Sequence, residues 1–125
     1  MNIEATRTGK LMTLALEGRV DAFAAKNLQD TVNQKLTPDI DALIFDLKGV
    51  SYISSAGLRI ILSVVKRMKK NEGSVVLCRV GRFCRDVMDT AGFLSLLPVF
   101  DTLEQAVAFG LQCIKEKEQL QNWDQ

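Results

Sequence analysis

The chain has 125 residues, of which 47% are apolar and 25% charged, and its formal net charge is +1. That length fits one domain and leaves no room for a second core, and the composition argues against a disordered chain. No apolar run reaches the ~18 residues of a membrane-spanning helix, and Met1-Asn2-Ile3-Glu4-Ala5 lacks a basic patch leading into an apolar stretch, so a cytoplasmic protein without membrane insertion is expected. Histidine is absent, which rules out Ser-His and Cys-His nucleophile pairs and any zinc site that needs imidazole. Cys78, Cys84 and Cys113 form no Cys-x-x-Cys pair and read as small buried residues in a reducing compartment. No metal and no cofactor are expected.

In chain order, the first signals are strands. Met12, Leu14 and Leu16 share one face at period two, and a shorter strand precedes them near residues 2–6. Thr8-Gly9-Lys10 has turn chemistry, so the two strands read as a hairpin, with Gly18 ending the second. Ala25, Leu28, Val32 and Leu36 then mark one face of a helix, with Asp21 as candidate cap and Pro38 as its stop. Residues 42–47, Ala-Leu-Ile-Phe-Asp-Leu, suit a strand covered on both faces, broken by Lys48 and Gly49.

Leu58, Ile61, Leu62, Val65 and Met68 give the clearest amphipathic helix, with Arg59, Lys66, Lys69 and Lys70 opposite. Asn71-Glu72-Gly73 closes it, with Gly73 suited to a left-handed cap. Val75–Cys78 reads as another buried strand, and Phe83, Val87 and Ala91 as a short helix ended by Gly92. Pro98-Val99-Phe100 suits a last short strand. Asp101 or Thr102 then caps a final helix whose inner face is Leu103, Ala106, Val107, Gly110, Leu111 and Ile114. The polar stretch after Lys115 is expected to fray, apart from Trp123. Strands alternating with helices imply crossover units and a largely parallel sheet, which the opening hairpin makes mixed. The expected fold class is α/β: one mixed sheet of four to five strands packed with about four helices.

Charge is unevenly spread. Residues 1–58 carry a net of −1, residues 59–85 a net of +7, and residues 86–125 a net of −5. The central excess comes from Arg59, Lys66, Arg67, Lys69, Lys70, Arg79, Arg82 and Arg85. The chain is nearly neutral and aromatics do not interleave with these residues, so a solvated helix face is favoured over a nucleic-acid patch. Arg59, beside the loop described next, could steer an acidic partner surface. The six phenylalanines, Phe23, Phe45, Phe83, Phe93, Phe100 and Phe109, are expected to pack in or near the core.

The stretch richest in chemistry runs from Asp46 to Arg59 and includes Ser54-Ser55-Ala56-Gly57-Leu58. A buried strand ends, a loop follows, and two serines stand where an amphipathic helix begins. A serine there can cap the free N–H groups of the first turn. The same place favours an added anion, and a phosphate would change the surface without melting the helix. Gly57 fits both readings: it costs roughly 1 kcal/mol of helix propensity against alanine and permits close approach of another backbone or a phosphate donor.

This stretch resembles the loop of STAS-domain anti-sigma factor antagonists, which has an Asp/Ser-Ser-Ser/Thr/Ala-Gly-Leu sequence at a helix start. Three more segments agree in order: Gly18-Arg19-Val20-Asp21 with the family's Gly-x-Leu/Val-Asp, Val87–Phe93 with its Leu-x-x-x-Gly-Leu/Phe, and Leu97–Ala106 with its last strand and helix start. The resemblance covers residues 1–114, with residues 115–125 a polar tail continuing the last helix. It implies a protein with no catalytic residues of its own that works by partner switching. The unphosphorylated antagonist binds an anti-sigma factor that is also a serine kinase. Phosphorylation of the loop serine releases it, and a serine phosphatase resets the cycle. By position the acceptor is Ser55, with Ser54 as second choice. Asp21, Ser54, Ser55, Ala56, Gly57 and Arg59 are the candidate partner-binding residues. Ser54 stands where many members have Asp, and Ala56 where many have Ser or Thr. No Walker loop, Gly-x-Gly-x-x-Gly or Gly-x-Ser-x-Gly occurs, so an enzyme is not expected. The competing reading is a STAS module that is never phosphorylated, such as a scaffold for a membrane transport system.

Overall fold

The computed structural model describes residues 1–123. Strands β1 (Asn2–Thr8) and β2 (Leu11–Val20) form the antiparallel hairpin, turning at Gly9 with a φ of 60°. There follow α1 (Ala22–Lys35), β3 (Ala42–Ile53), α2 (Ser55–Lys70), β4 (Ser74–Cys78), α3 (Arg82–Thr90), a 3-10 turn (Phe93–Ser95), β5 (Val99–Phe100) and α4 (Leu103–Trp123). The five strands lie side by side in chain order, and every pair after the first is parallel. The mixed sheet expected from alternating strands and helices is therefore present.

Two apolar layers sandwich the sheet. The larger joins Leu14, Leu43, Phe45 and Leu77 to Leu28 of α1, Ile61 of α2 and Met88 of α3. The smaller joins Leu11, Ile44, Val76 and Cys78 to Ala106 of α4. Residues 42–47 are buried throughout, as their unbroken apolar run requires. Gly110 lets α4 approach the sheet: a Cβ there would lie 2.9 Å from Leu11 Cδ1.

Several local expectations are corrected. Gly18 does not end β2, nor do Lys48 and Gly49 break β3; both strands run on, through register shifts between Ala15 and Glu17 and between Gly18 and Arg19. The left-handed residue after α2 is Glu72, at φ 60°. Gly73 is needed for space instead, because a Cβ there would sit 2.8 Å from Met68 Cε and 3.2 Å from the Asp41 carbonyl. The inner face of α3 is Cys84 and Met88, while Phe83 and Ala91 are exposed. On α4, Leu111 is half exposed.

Thr102 caps α4 in a reciprocal box: its Oγ1 accepts from the Gln105 N–H at 3.1 Å, and Gln105 Oε1 accepts from the Thr102 N–H at 3.3 Å. The stretch after Lys115 stays helical to Trp123. Lys117 Nζ ties it to the body, donating to Asp41 Oδ1 at 2.7 Å and to the Asn71 carbonyl at 2.9 Å. Trp123 remains 86% exposed.

Two carboxylates are buried among the described residues: Asp41, held by Lys117, and Asp46. Asp46 accepts from Arg79 in a two-pronged ion pair, with Nε at 3.0 Å from Oδ1 and Nη2 on Oδ2. The Lys48 N–H adds a third hydrogen bond at 3.2 Å. Arg79 itself adopts φ 55°, a conformation unfavourable for a residue with a Cβ, at the point where the chain leaves β4. The pair holds that turn in place. Asp46→Ala should lower the free energy of unfolding by about 2 kcal/mol, since the guanidinium left behind is partly solvated. A lower urea midpoint at unchanged slope is the expected readout.

Candidate functional site

Parallel strands β2 and β3 end together, with Val20 beside Ile53. The Ser54 N–H donates to the Val20 carbonyl at 2.9 Å and continues the ladder by one bond. The next residue on each chain is a helix cap. Asp21 Oδ1 accepts from the Ala24 N–H at 2.9 Å and caps α1. Ser54 Oγ accepts from the Gly57 N–H at 3.1 Å and caps α2. Two helix N-termini thus start from neighbouring strand ends, at the carboxyl edge of the sheet.

The two serines differ in what they do. Ser54 is half buried and its hydroxyl oxygen is committed to the cap. Ser55 is the first residue of α2, is exposed, and its hydroxyl has no protein partner among the described residues. Ala56 is half buried and Gly57 fully so. The Gly57 position has no space for a side chain: a Cβ would meet Val20 Cγ1 at 2.8 Å, the Val20 carbonyl at 3.0 Å and Ile53 Cγ1 at 3.1 Å. The close approach that glycine permits is therefore that of β2 itself. Arg59 lies one turn along α2, exposed and without a carboxylate partner among the described residues. The structure brings all six sequence-predicted residues to one end of the sheet.

Residues around this edge were not singled out by sequence. The Arg19 guanidinium lies 4.3 Å from the centre of the Tyr52 ring, and Tyr52 stacks with Phe83 at 6.1 Å between centroids. Phe23 and Phe83 are exposed, against the expectation that the phenylalanines pack in or near the core, and Phe109 is borderline. Arg19 and Tyr52 each stand two residues before a helix cap, which was the available signal.

The basic residues of the central segment do not form one free patch. Arg79 is bound to Asp46, Arg67 donates to Asn33 and to the Leu36 carbonyl, and Arg85 lies 4.0 Å from Asp101. Among the described residues, no cluster of three or more His, Cys, Asp or Glu side chains could hold a metal ion. Burial pushes the Cys78 thiol up to about 11 and raises Cys84 as well, so both are poor nucleophiles at neutral pH. No helix among the described residues is long and apolar enough to cross a membrane.

Comparison with known proteins agrees with this geometry. The family model for the STAS domain matches residues 2–106. A putative anti-sigma factor antagonist, BtrV of Bordetella bronchiseptica, is 32% identical over 108 residues, spanning 86% of this chain and 93% of that protein. The unphosphorylated anti-sigma factor antagonist SpoIIAA superposes with a TM-score of 0.70 at 14% identity, covering 89% of this chain and 98% of its own. A sulfate transporter family protein from Wolinella succinogenes gives 0.73 at 18% identity, covering 85% and 88%. At those identities the two structures share the fold alone.

The local packing makes a sharp contrast among substitutions. Ser54→Ala should cost about 1 kcal/mol through the lost cap, while Ser55→Ala should stay within ~0.5 kcal/mol of wild type. Gly57→Ala should destabilise by about 1–2 kcal/mol, because overpacking against Val20 outweighs the gain in helix propensity. Thermal melts that place Ser55→Ala nearest wild type, Ser54→Ala below it and Gly57→Ala lowest check the assignment of the cap and of the close contact.

Proposed function

The chain belongs to the STAS-domain family of anti-sigma factor antagonists, and we propose that it works as a phosphorylation-controlled partner switch. In its unmodified form it binds an anti-sigma factor that is also a serine kinase, so that the sigma factor is set free. The kinase phosphorylates Ser55, the complex separates, and a serine phosphatase restores the binding form. Asp21, Ser54, Ala56, Gly57 and Arg59 form or support the contact surface around the acceptor, and the protein acts in the cytoplasm.

One observation carries this reading: of two adjacent serines at the α2 N-terminus, Ser54 is committed to the cap while Ser55 is exposed and has no hydrogen-bond partner among the described residues. Modifying Ser54 would turn the capping hydroxyl oxygen into a phosphoester oxygen and disturb the cap. Modifying Ser55 leaves it in place and sets nearly two negative charges against the positive end of the helix dipole. The fold therefore tolerates the phosphate. A docked partner does not, because an interface that excludes water from the loop would have to bury an anion that it cannot pair, at a cost of several kcal/mol. A loss of even ~3 kcal/mol weakens binding on the order of a hundredfold.

A second reading, a STAS module that scaffolds a transport system without modification, is favoured by the shared fold with the sulfate transporter family protein. Incubation with ATP and each serine kinase encoded beside the gene, followed by intact mass and peptide mapping, separates the two. Gain of one phosphate on Ser55 is expected. No gain with any of these kinases would support the scaffold, and a phosphate on Ser54 would overturn the assignment of the acceptor. Ser55→Asp should weaken binding to the anti-sigma factor about a hundredfold, whereas Ser55→Ala should bind like wild type and accept no phosphate.

A further inference from the structure

Three helices start along the carboxyl edge of the sheet: α1 after β2, α2 after β3 and α3 after β4. Because those strands are neighbours in that order, the start of α2 lies between the other two. The second residues of the three helices are Phe23, Ala56 and Phe83. Phe23 is 88% exposed and Phe83 55%. Scattered exposed apolar side chains are ordinary, but two aromatic rings flanking one short loop make a surface. Phe83 is held by its stack on Tyr52, and Tyr52 in turn lies beneath the Arg19 guanidinium. Arg19, Arg59 and Arg82 are exposed at this edge, and none has a carboxylate partner among the described residues. Of the carboxylates near them in sequence, Asp21 has one oxygen committed to capping α1, while Glu17, two residues before Arg19, and Asp86, four residues after Arg82, are exposed.

Rigid aromatics and arginines at the centre of a contact surface are the side chains that carry most binding energy. We propose that Phe23 and the Arg19–Tyr52–Phe83 stack are the two anchors of the anti-sigma factor contact, one on each side of Ser55. The partner's matching surface is acidic, with an apolar pocket for each anchor. This deepens the reading of Ser55 as the regulated residue and rests on it. It also supplies the specificity of release: a phosphate on the helix start that lies between the anchors faces an acidic surface, so attraction from the arginines is opposed by repulsion within the interface.

The test measures affinity of the full chain for each serine-kinase anti-sigma factor encoded in the source genome, by calorimetry and by association kinetics. Phe23→Ala and Phe83→Ala should each weaken binding tenfold or more while the circular dichroism spectrum stays that of wild type. Arg82→Glu should slow association and flatten its dependence on salt. Leu120→Ala, a change at an exposed position near the far end of α4, should stay within twofold. If both phenylalanine variants bind within twofold of wild type while Ser55→Asp loses affinity, the anchors are refuted and the switch stands. An equal loss in Leu120→Ala and Phe83→Ala also overturns the anchors. If the wild-type chain binds none of these anti-sigma factors, the switch and the anchors fall together.

Discussion

The contact between Gly57 and Val20 sets the geometry of everything at the carboxyl edge. With no Cβ on Gly57, the first turn of α2 lies directly against the end of β2. Ser54 can then extend the β2–β3 ladder with its N–H and cap the helix with its hydroxyl at the same time. One residue does both jobs only because the strand end and the helix start are so close. The consequence is a division of labour between adjacent serines: the first is consumed by structure, and the second is exposed to solvent with no hydrogen-bond partner among the described residues.

That division explains why an anion could act on a partner without acting on the fold. The N-terminal N–H groups of α2 are partly satisfied by Ser54, and the remaining positive end of the helix favours negative charge nearby. Intramolecular electrostatics are therefore favourable or neutral toward a phosphate on Ser55. The penalty arises only when a second surface removes water from the loop. A device of this kind needs no conformational change, and nothing in the packing of α2, which buries Leu58, Ile61, Val64, Val65 and Met68 beneath it, offers one.

Much of this was legible in the sequence because it depends on local chemistry. The period of Leu58, Ile61, Val65 and Met68, the cap at Asp21, a capping serine at the start of α2, and the unbroken apolar run before Asp46 each follow from one element considered alone. What escaped depends on neighbours. Lys48 and Gly49 look like a strand end, yet β3 continues because β2 shifts register alongside it. Gly73 looks like a left-handed cap, yet its lack of a side chain answers to Met68 and the Asp41 carbonyl. The stretch after Lys115 looks free to fray, but Lys117 reaches Asp41 across the fold. Phe23 and Phe83 look like core residues by type. Their exposure follows from lying at the second position of a helix whose buried face begins one residue later, at Ala24 and Cys84.

The sheet is uneven in a way that bears on where a partner can dock. Strand β4 pairs with β3 only from Ala42 to Asp46. Beyond Asp46, β3 runs on to Ile53 with β2 as its strand neighbour, so the two form a ribbon that projects past the rest of the sheet. On the side where β4 would have continued, the chain turns at Arg79, which Asp46 grips, and α3 packs there instead. Cys84 contacts the Val50 carbonyl and Phe83 stacks on Tyr52, so a helix occupies the flank that a strand would otherwise cover. A strand in that place would have paired the ribbon's backbone and presented alternating side chains. The helix presents its exposed N-terminal turn, with Arg82 and Phe83, level with the loop that carries Ser55. The half-buried ion pair and the exposed aromatic thus sit at the same turn: Asp46 grips Arg79 where β4 stops, and α3, which begins just after that stop, carries Phe83 to the edge.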